Sequence, residues 1–208
     1  MKKGRNHPAS SGINIGKPCA PSVRSKETSM KLSGRKIAIL IAPRGSEDSE
    51  FTEPRKAVEA EGAETVIIST QLGKAETMKG DLDPAGQYDV DAVFSQVHVD
   101  DFDALIIPGG TVGSDKLRAS LDAVAFVSAF FRQSKPVAAI CHGPWLIVEA
   151  GAAKGRKLTS YSSLRTDIQN AGGDWVDEEV VVDNGLITSR SPDDLPAFTA
   201  RIIEEFSA

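Results

Sequence analysis

Val137-Ala138-Ala139-Ile140-Cys141-His142-Gly143-Pro144 decides the fold of this chain. Four apolar residues after Pro136 predict a short buried strand, and Gly143-Pro144 opens a helix over Trp145, Leu146, Ile147 and Val148. Cys141 therefore stands at an abrupt strand-to-helix junction, with small residues, Ala139 and Gly143, on either side to let the chain turn. A sulfur held there faces helix N–H groups that have no partner within the helix, a setting expected to lower a thiol pKa. The plainer alternative is a packed thiol ending a strand, because free cysteine is commonly buried.

Working outward, short apolar strands alternate with amphipathic helices, the pattern of an α/β layer fold with a mostly parallel sheet. Strands are predicted over 36–42, 65–69, 103–108, 136–140, 179–182 and 186–189, and helices over 50–62, 121–133 and 193–206. Asp183-Asn184-Gly185 is a hairpin signal. In doubly wound sheets ligands bind beyond the carboxyl ends of the strands, so three segments should meet at Cys141: the loop 43–50, the Gly109-Gly110 turn and the elbow itself.

The full chain of 208 residues is 40% apolar and 25% charged, a globular composition. Its two cysteines, Cys19 and Cys141, form neither a disulfide framework nor a zinc spacing, which fits a cytoplasmic protein. No apolar run reaches the roughly 18 residues of a membrane span. The net charge is −5, but residues 1–29 carry +5 and the remainder −10. An acidic body argues against nucleic acid as the primary partner. Residues 1–29 read as a flexible basic extension that is dispensable or precedes the true start at Met30, and residues 30–208 as a single domain.

Around Cys141 the candidate chemistry is specific. Backbone N–H groups at Gly109, Gly110 and Gly143 could hold a developing oxyanion, although a glycine pair is also an ordinary tight turn. His142 is one of three histidines and the candidate proton acceptor. It needs a third group to fix its tautomer, and Asp115 is a candidate, with an N-cap role as the alternative. In Ser46-Glu47-Asp48-Ser49-Glu50, Asp48 and Glu50 read as residues that favour a helix N-terminus. Glu47 could instead point at Cys141 and, protonated by burial, donate a hydrogen bond to the sulfur. His98 with Asp100, Asp101 and Asp103 reads as a solvated loop rather than a metal site.

These segments resemble the DJ-1/PfpI superfamily, in its PfpI-like branch (peptidase C56, general stress protein 18). The resemblance spans about residues 34–206 and rests on Glu-Asp-Ser-Glu at 47–50, Ala-Leu-Ile-Ile-Pro-Gly-Gly at 104–110, Lys-Pro-Val-Ala-Ala-Ile-Cys-His-Gly-Pro at 135–144 and Thr-Ser-Arg-Ser-Pro-Asp-Asp-Leu at 188–195. It implies a flavodoxin-like three-layer sandwich, Cys141 as nucleophile with His142 beside it, and Glu47 hydrogen-bonded to the sulfur. It also implies that the acid serving His142 comes from a neighbouring subunit of a homodimer or larger homo-oligomer. That acid is Asp115 if Asp-x-Leu-Arg is the anchor, whereas simple counting selects Ser114. Class I glutamine amidotransferases share the elbow, but their late His-x-Glu pair is missing here.

The resemblance implies a stress-response hydrolase that acts on small aldehydes, reactive dicarbonyls or early glycation adducts, without cofactor or metal. The alternatives are a small-peptide cysteine peptidase and a stress sensor or chaperone-like protein whose Cys141 is oxidised.

Overall fold

The computed structural model describes residues 30–208 together with Met1 and Gly4. The expected basic extension over 1–29 lies outside the described residues, apart from those two positions.

The chain opens with β1 (Lys36–Leu40), β2 (Arg44–Glu47), α1 (Asp48–Ala60) and β3 (Glu64–Ser69). A hairpin follows, β4 (Gly73–Lys79) and β5 (Asp83–Val90), then β6 (Ala92–Val93) and β7 (Ala104–Ile107). Next come α2 (Thr111–Arg118), α3 (Leu121–Arg132), β8 (Val137–Ile140) and α4 (Pro144–Glu149). The last part is β9 (Lys157–Leu158), α5 (Arg165–Asn170), β10 (Asp174–Trp175), β11 (Val180–Asp183), β12 (Leu186–Ser189) and α6 (Leu195–Phe206).

Seven strands form the central sheet in the order β11-β12-β8-β7-β1-β3-β6. All its pairs are parallel except β11 with β12, which close on Asn184-Gly185 with φ of +49° and +78°. Both central residues of a tight type I′ turn need positive φ, and that is why Asn-Gly predicts the hairpin.

Alternate side chains of the inner strands serve opposite faces, since a strand repeats every two residues. Ala38, Leu40, Leu105, Ile107, Val137 and Ala139 meet Phe126, Phe130, Leu146 and Ile147 from α3 and α4. Ile37, Ile39, Ile106, Ala138 and Ile140 meet Phe51, Val58, Phe198 and Ile202 from α1 and α6. Burial on both faces explains the uninterrupted apolar runs, and the result is a three-layer α/β sandwich.

Successive strands are added on one side of β1 through β3 and on the other through β7, β8 and β12. The chain therefore reverses direction between β1 and β7, and the loops after those strands open a crevice at their carboxyl ends.

Two features depart from expectation. The segment 43–50 contains β2 and the first turn of α1, so it is not a plain loop. Residues 73–90 form an antiparallel arm that joins β2 in a separate three-stranded sheet, β2-β4-β5. Among the described residues, no helix is long and apolar enough to cross a membrane.

Candidate active site

Cys141 takes a left-handed backbone conformation, φ +61°, at the end of β8. Only a few per cent of residues other than glycine adopt positive φ, and such strain persists where its surroundings over-determine it. Here Cys141 N donates to Ser189 O at 3.1 Å, extending the pairing of β8 with β12, and Tyr161 N donates to Cys141 O at 2.9 Å. Gly143 N donates to Ile140 O at 2.8 Å and closes the turn. That N–H is committed to the fold and is not the free oxyanion donor expected of Gly143.

The carboxyl beside the sulfur belongs to Glu50, which corrects the assignment of Glu47. Glu50 is fully buried, and its Oε2 accepts from Gly109 N at 2.9 Å. Gly109 is therefore also spoken for. Its role is steric, because a Cβ there would lie 2.5 Å from Glu50 Oε2 and 2.7 Å from Cys141 Cβ. Glu47 instead occupies the N-cap position of α1 without a side-chain capping bond, and its carboxylate accepts from Gly80 N at 2.9 Å. Asp48 accepts from Thr77 Oγ1 at 2.5 Å and Tyr88 Oη at 2.9 Å, which ties the β4–β5 arm to α1.

Burial pushes Glu50 up to about 8, so at neutral pH it carries a proton. The expectation of a lowered thiol pKa is also corrected: burial first, and then the Glu50 carboxyl, push the Cys141 thiol up. The first turn of the six-residue α4 does not outweigh desolvation of the sulfur. With Glu50 protonated, its charge no longer opposes ionisation of Cys141. The N–H groups of Gly110 and His142 then pull toward the thiolate through hydrogen bonds, against the larger effect of burial.

His142 Nδ1 lies 3.2 Å from Cys141 Sγ. Burial lowers the His142 pKa, against the opposing charge of Asp81, so the ring is neutral at pH 7 and can accept a proton. Tyr161 stacks on the imidazole with ring centroids 4.8 Å apart. Asp115 is 62% exposed and pairs with Arg118 at 3.1 Å, so within its own subunit it does not orient His142. The Ser114 hydroxyl is buried and has no hydrogen-bond partner among the described residues. At the loop expected to be solvated, Asp101 accepts from His98 N at 2.8 Å and caps a short 3-10 turn.

The cavity over the thiol measures about 840 Å³ and is lined by Glu47, Glu50, Asp81, Cys141, His142 and Tyr161 among others. Glu50, Asp81 and Tyr161 were absent from the sequence-based set. Glu50 had a legible signal, because it lies on the buried stripe of α1 with Phe51, Pro54 and Val58. Such a site can bring a carbonyl carbon to a sulfur, with a proton acceptor on one side and a proton donor on the other.

A model of the DJ-1/PfpI family matches residues 35–205. General stress protein 18 of Bacillus subtilis is 50% identical over 166 residues, covering 79% of this chain and 94% of that protein. Protein/nucleic acid deglycase 2 of Escherichia coli is 43% identical over 175 residues, covering 84% of this chain and 99% of that protein. Among solved structures, DJ-1beta of Drosophila melanogaster superposes with a TM-score of 0.75 at 29% identity, covering 83% of this chain and 90% of that one.

Proposed function

This chain belongs to the DJ-1/PfpI family, and we propose that it is a cysteine-dependent hydrolase of the deglycase type, acting on reactive dicarbonyls and early glycation adducts. The observation that carries this reading is the contact of Cys141 Sγ with His142 Nδ1 at 3.2 Å, beside the buried Glu50, in a cavity sized for a small ligand. The deglycase named among its relatives supports the substrate class.

With a free dicarbonyl, a C–S bond forms as the thiol proton passes to His142 and the carbonyl π electrons move to oxygen. His142 passes that proton to the oxygen, which gives a hemithioacetal and restores the neutral ring. The neutral His142 then takes the proton from the same carbon and delivers it to the adjacent one, while the hydroxyl proton moves to the neighbouring oxygen, giving the thioester of a 2-hydroxy acid. Water cleaves the C–S bond, releasing the acid and restoring the thiol. The sum is addition of one water, with no external oxidant. With a glycated amine, the amine leaves with a proton when the sulfur attacks. Glu50 gives its hydrogen bond to the sulfur while the thiolate bears charge, and the N–H groups of Gly110 and His142 steady negative charge in the same place.

The enzyme works on a small aldehyde or glycated ligand as a cytoplasmic homo-oligomer, and the exposed Leu82, Val112 and Leu121 are apolar side chains that such an assembly could cover. Oxidation sensing is less favoured by the site, since Cys141 is 7% exposed and its thiol is pushed up rather than down. The test is a panel of methylglyoxal, a glycated amine and short peptides, run on wild type and Cys141→Ala. Formation of 2-hydroxy acid should fall at least about 1000-fold in the variant. Undiminished turnover overturns the reading, and turnover of peptides alone replaces it with a peptidase.

A further inference from the structure

His142 has two ring nitrogens in two settings. Nδ1 faces Cys141, while Nε2 lies 3.3 Å from Thr111 Oγ1 and 3.3 Å from Ser163 Oγ. Thr111 is itself held at both of its donors by one carboxylate: Asp81 Oδ1 accepts from Thr111 N at 2.7 Å and Asp81 Oδ2 accepts from Thr111 Oγ1 at 2.6 Å. A hydroxyl has one proton to give, and Thr111 gives it to Asp81. Toward His142 it offers only a lone pair, and the Ser163 hydroxyl can accept beside it, so the pair of oxygens favours the ring hydrogen on Nε2. Nδ1 is then left unprotonated, facing the thiol.

Asp81 holds this position in a conformation that disfavours it. It sits at the tip of the β4–β5 arm with φ +64°, adjoining Gly80, whose N–H donates to Glu47. Left-handed backbone costs an ordinary residue roughly 1 kcal/mol or more, although Asp and Asn tolerate it best. The arm thus spends conformational energy at the point where its carboxylate enters the cavity.

We propose that Asp81 and Thr111 are positioning residues that fix the His142 tautomer, through a chain from Asp81 to Thr111 to His142 to Cys141 made within one subunit. This rests on the reading of Cys141 as nucleophile and supplies the third group that Asp115 does not supply in its own subunit. A base with its lone pair on the far nitrogen could not take the thiol proton, so the chain decides whether the neutral ring is competent.

The test reads the tautomer directly and needs no substrate. Uniformly 15N-labelled full-length protein in a His7→Gln/His98→Gln background leaves His142 as the single histidine, observed by long-range 1H–15N correlation at pH 7.5. Wild type should show hydrogen on Nε2. In Asp81→Asn, which keeps shape and tolerates positive φ, the amide donates to Thr111 Oγ1. The threonine proton is thereby free to point at Nε2, and the hydrogen should move to Nδ1. Thr111→Val should lose the Nε2–H preference, and Thr111→Ser should keep it.

Turnover should follow: kcat falls about 100-fold or more in Asp81→Asn, with KM changed less than about threefold. Hydrogen on Nδ1 in wild type, or an unmoved tautomer in Asp81→Asn, overturns the proposal. If the tautomer responds as stated while Cys141→Ala retains turnover, the substrate reading fails and the positioning role of the pair stands.

Discussion

At the scale of single residues, the site turns on which of two glutamates faces the sulfur. Glu47 ends β2 at the N-cap position of α1, and three residues on, Glu50 has rotated to the buried face of that helix. A carboxyl with a raised pKa binds a proton in the folded protein that the unfolded chain releases near pH 4.5. The folded state therefore holds more protons between pH 4.5 and about 8, so stability is greatest below that window and declines as pH rises through it. Urea denaturation of wild type should show this decline, of the order of 4 kcal/mol between pH 5 and 9. Glu50→Gln, which mimics the protonated acid and still accepts from Gly109 N, should flatten it; an unchanged slope would mean that Glu50 is ionised when folded. The elbow itself was legible, because Cys141 lies between an apolar run and Gly143-Pro144. Glu50 is harder to read, because an acid in the first turn of a helix also serves its N-terminus, and only its place on the stripe of Phe51, Pro54 and Val58 marks it as buried.

At the scale of elements, the parallel strands announced themselves and the β4–β5 arm did not. Strands β1, β7 and β8 are buried on both faces and so carry continuous apolar runs. Gly73–Lys79 and Asp83–Val90 are largely polar, with Gly80-Asp81-Leu82 between them, and only Ala75, Met78, Tyr88 and Val90 bring apolar surface to the packing against the rest of the molecule. Asp48 is the anchor, through Thr77 and Tyr88, with Tyr88 also packed on Phe51 at a ring separation of 4.8 Å. Asp48→Ala should therefore loosen the arm selectively. Hydrogen exchange over residues 73–90 should accelerate at least about tenfold while β1, β7 and β8 keep their protection. Uniform loss of protection would show instead that the arm is part of the main folding unit. The contribution of Asp81 was hidden for the same reason, since residue spacing says nothing about a surface arm folding back over a crevice.

At the scale of the whole molecule, the order β11-β12-β8-β7-β1-β3-β6 gathers groups from residues 47, 50, 81, 111 and 141 onto one sheet edge. The chain from Asp81 to Cys141 closes within one subunit, which an assembly experiment can check. Mixing Cys141→Ala with Asp81→Asn protein under conditions of subunit exchange should give no more activity than the two proteins apart. Recovery of about a quarter of wild-type activity, the statistical yield for a dimer, would place Asp81 across a subunit boundary.

The pairing of Cys141 N with Ser189 O has a further consequence for a chain made from its N-terminus onward. The strand that bears the sulfur is flanked by β7 on one side and, on the other, by β12, which leaves the ribosome nearly fifty residues after Cys141. Until that strand docks, the turn lacks the bond from Cys141 N to Ser189 O and keeps only the closures of Gly143 N on Ile140 O and Tyr161 N on Cys141 O. The geometry that sets the sulfur against His142 is therefore completed only when the last part of the chain has been made, after the Glu50 helix and the Asp81 arm have emerged.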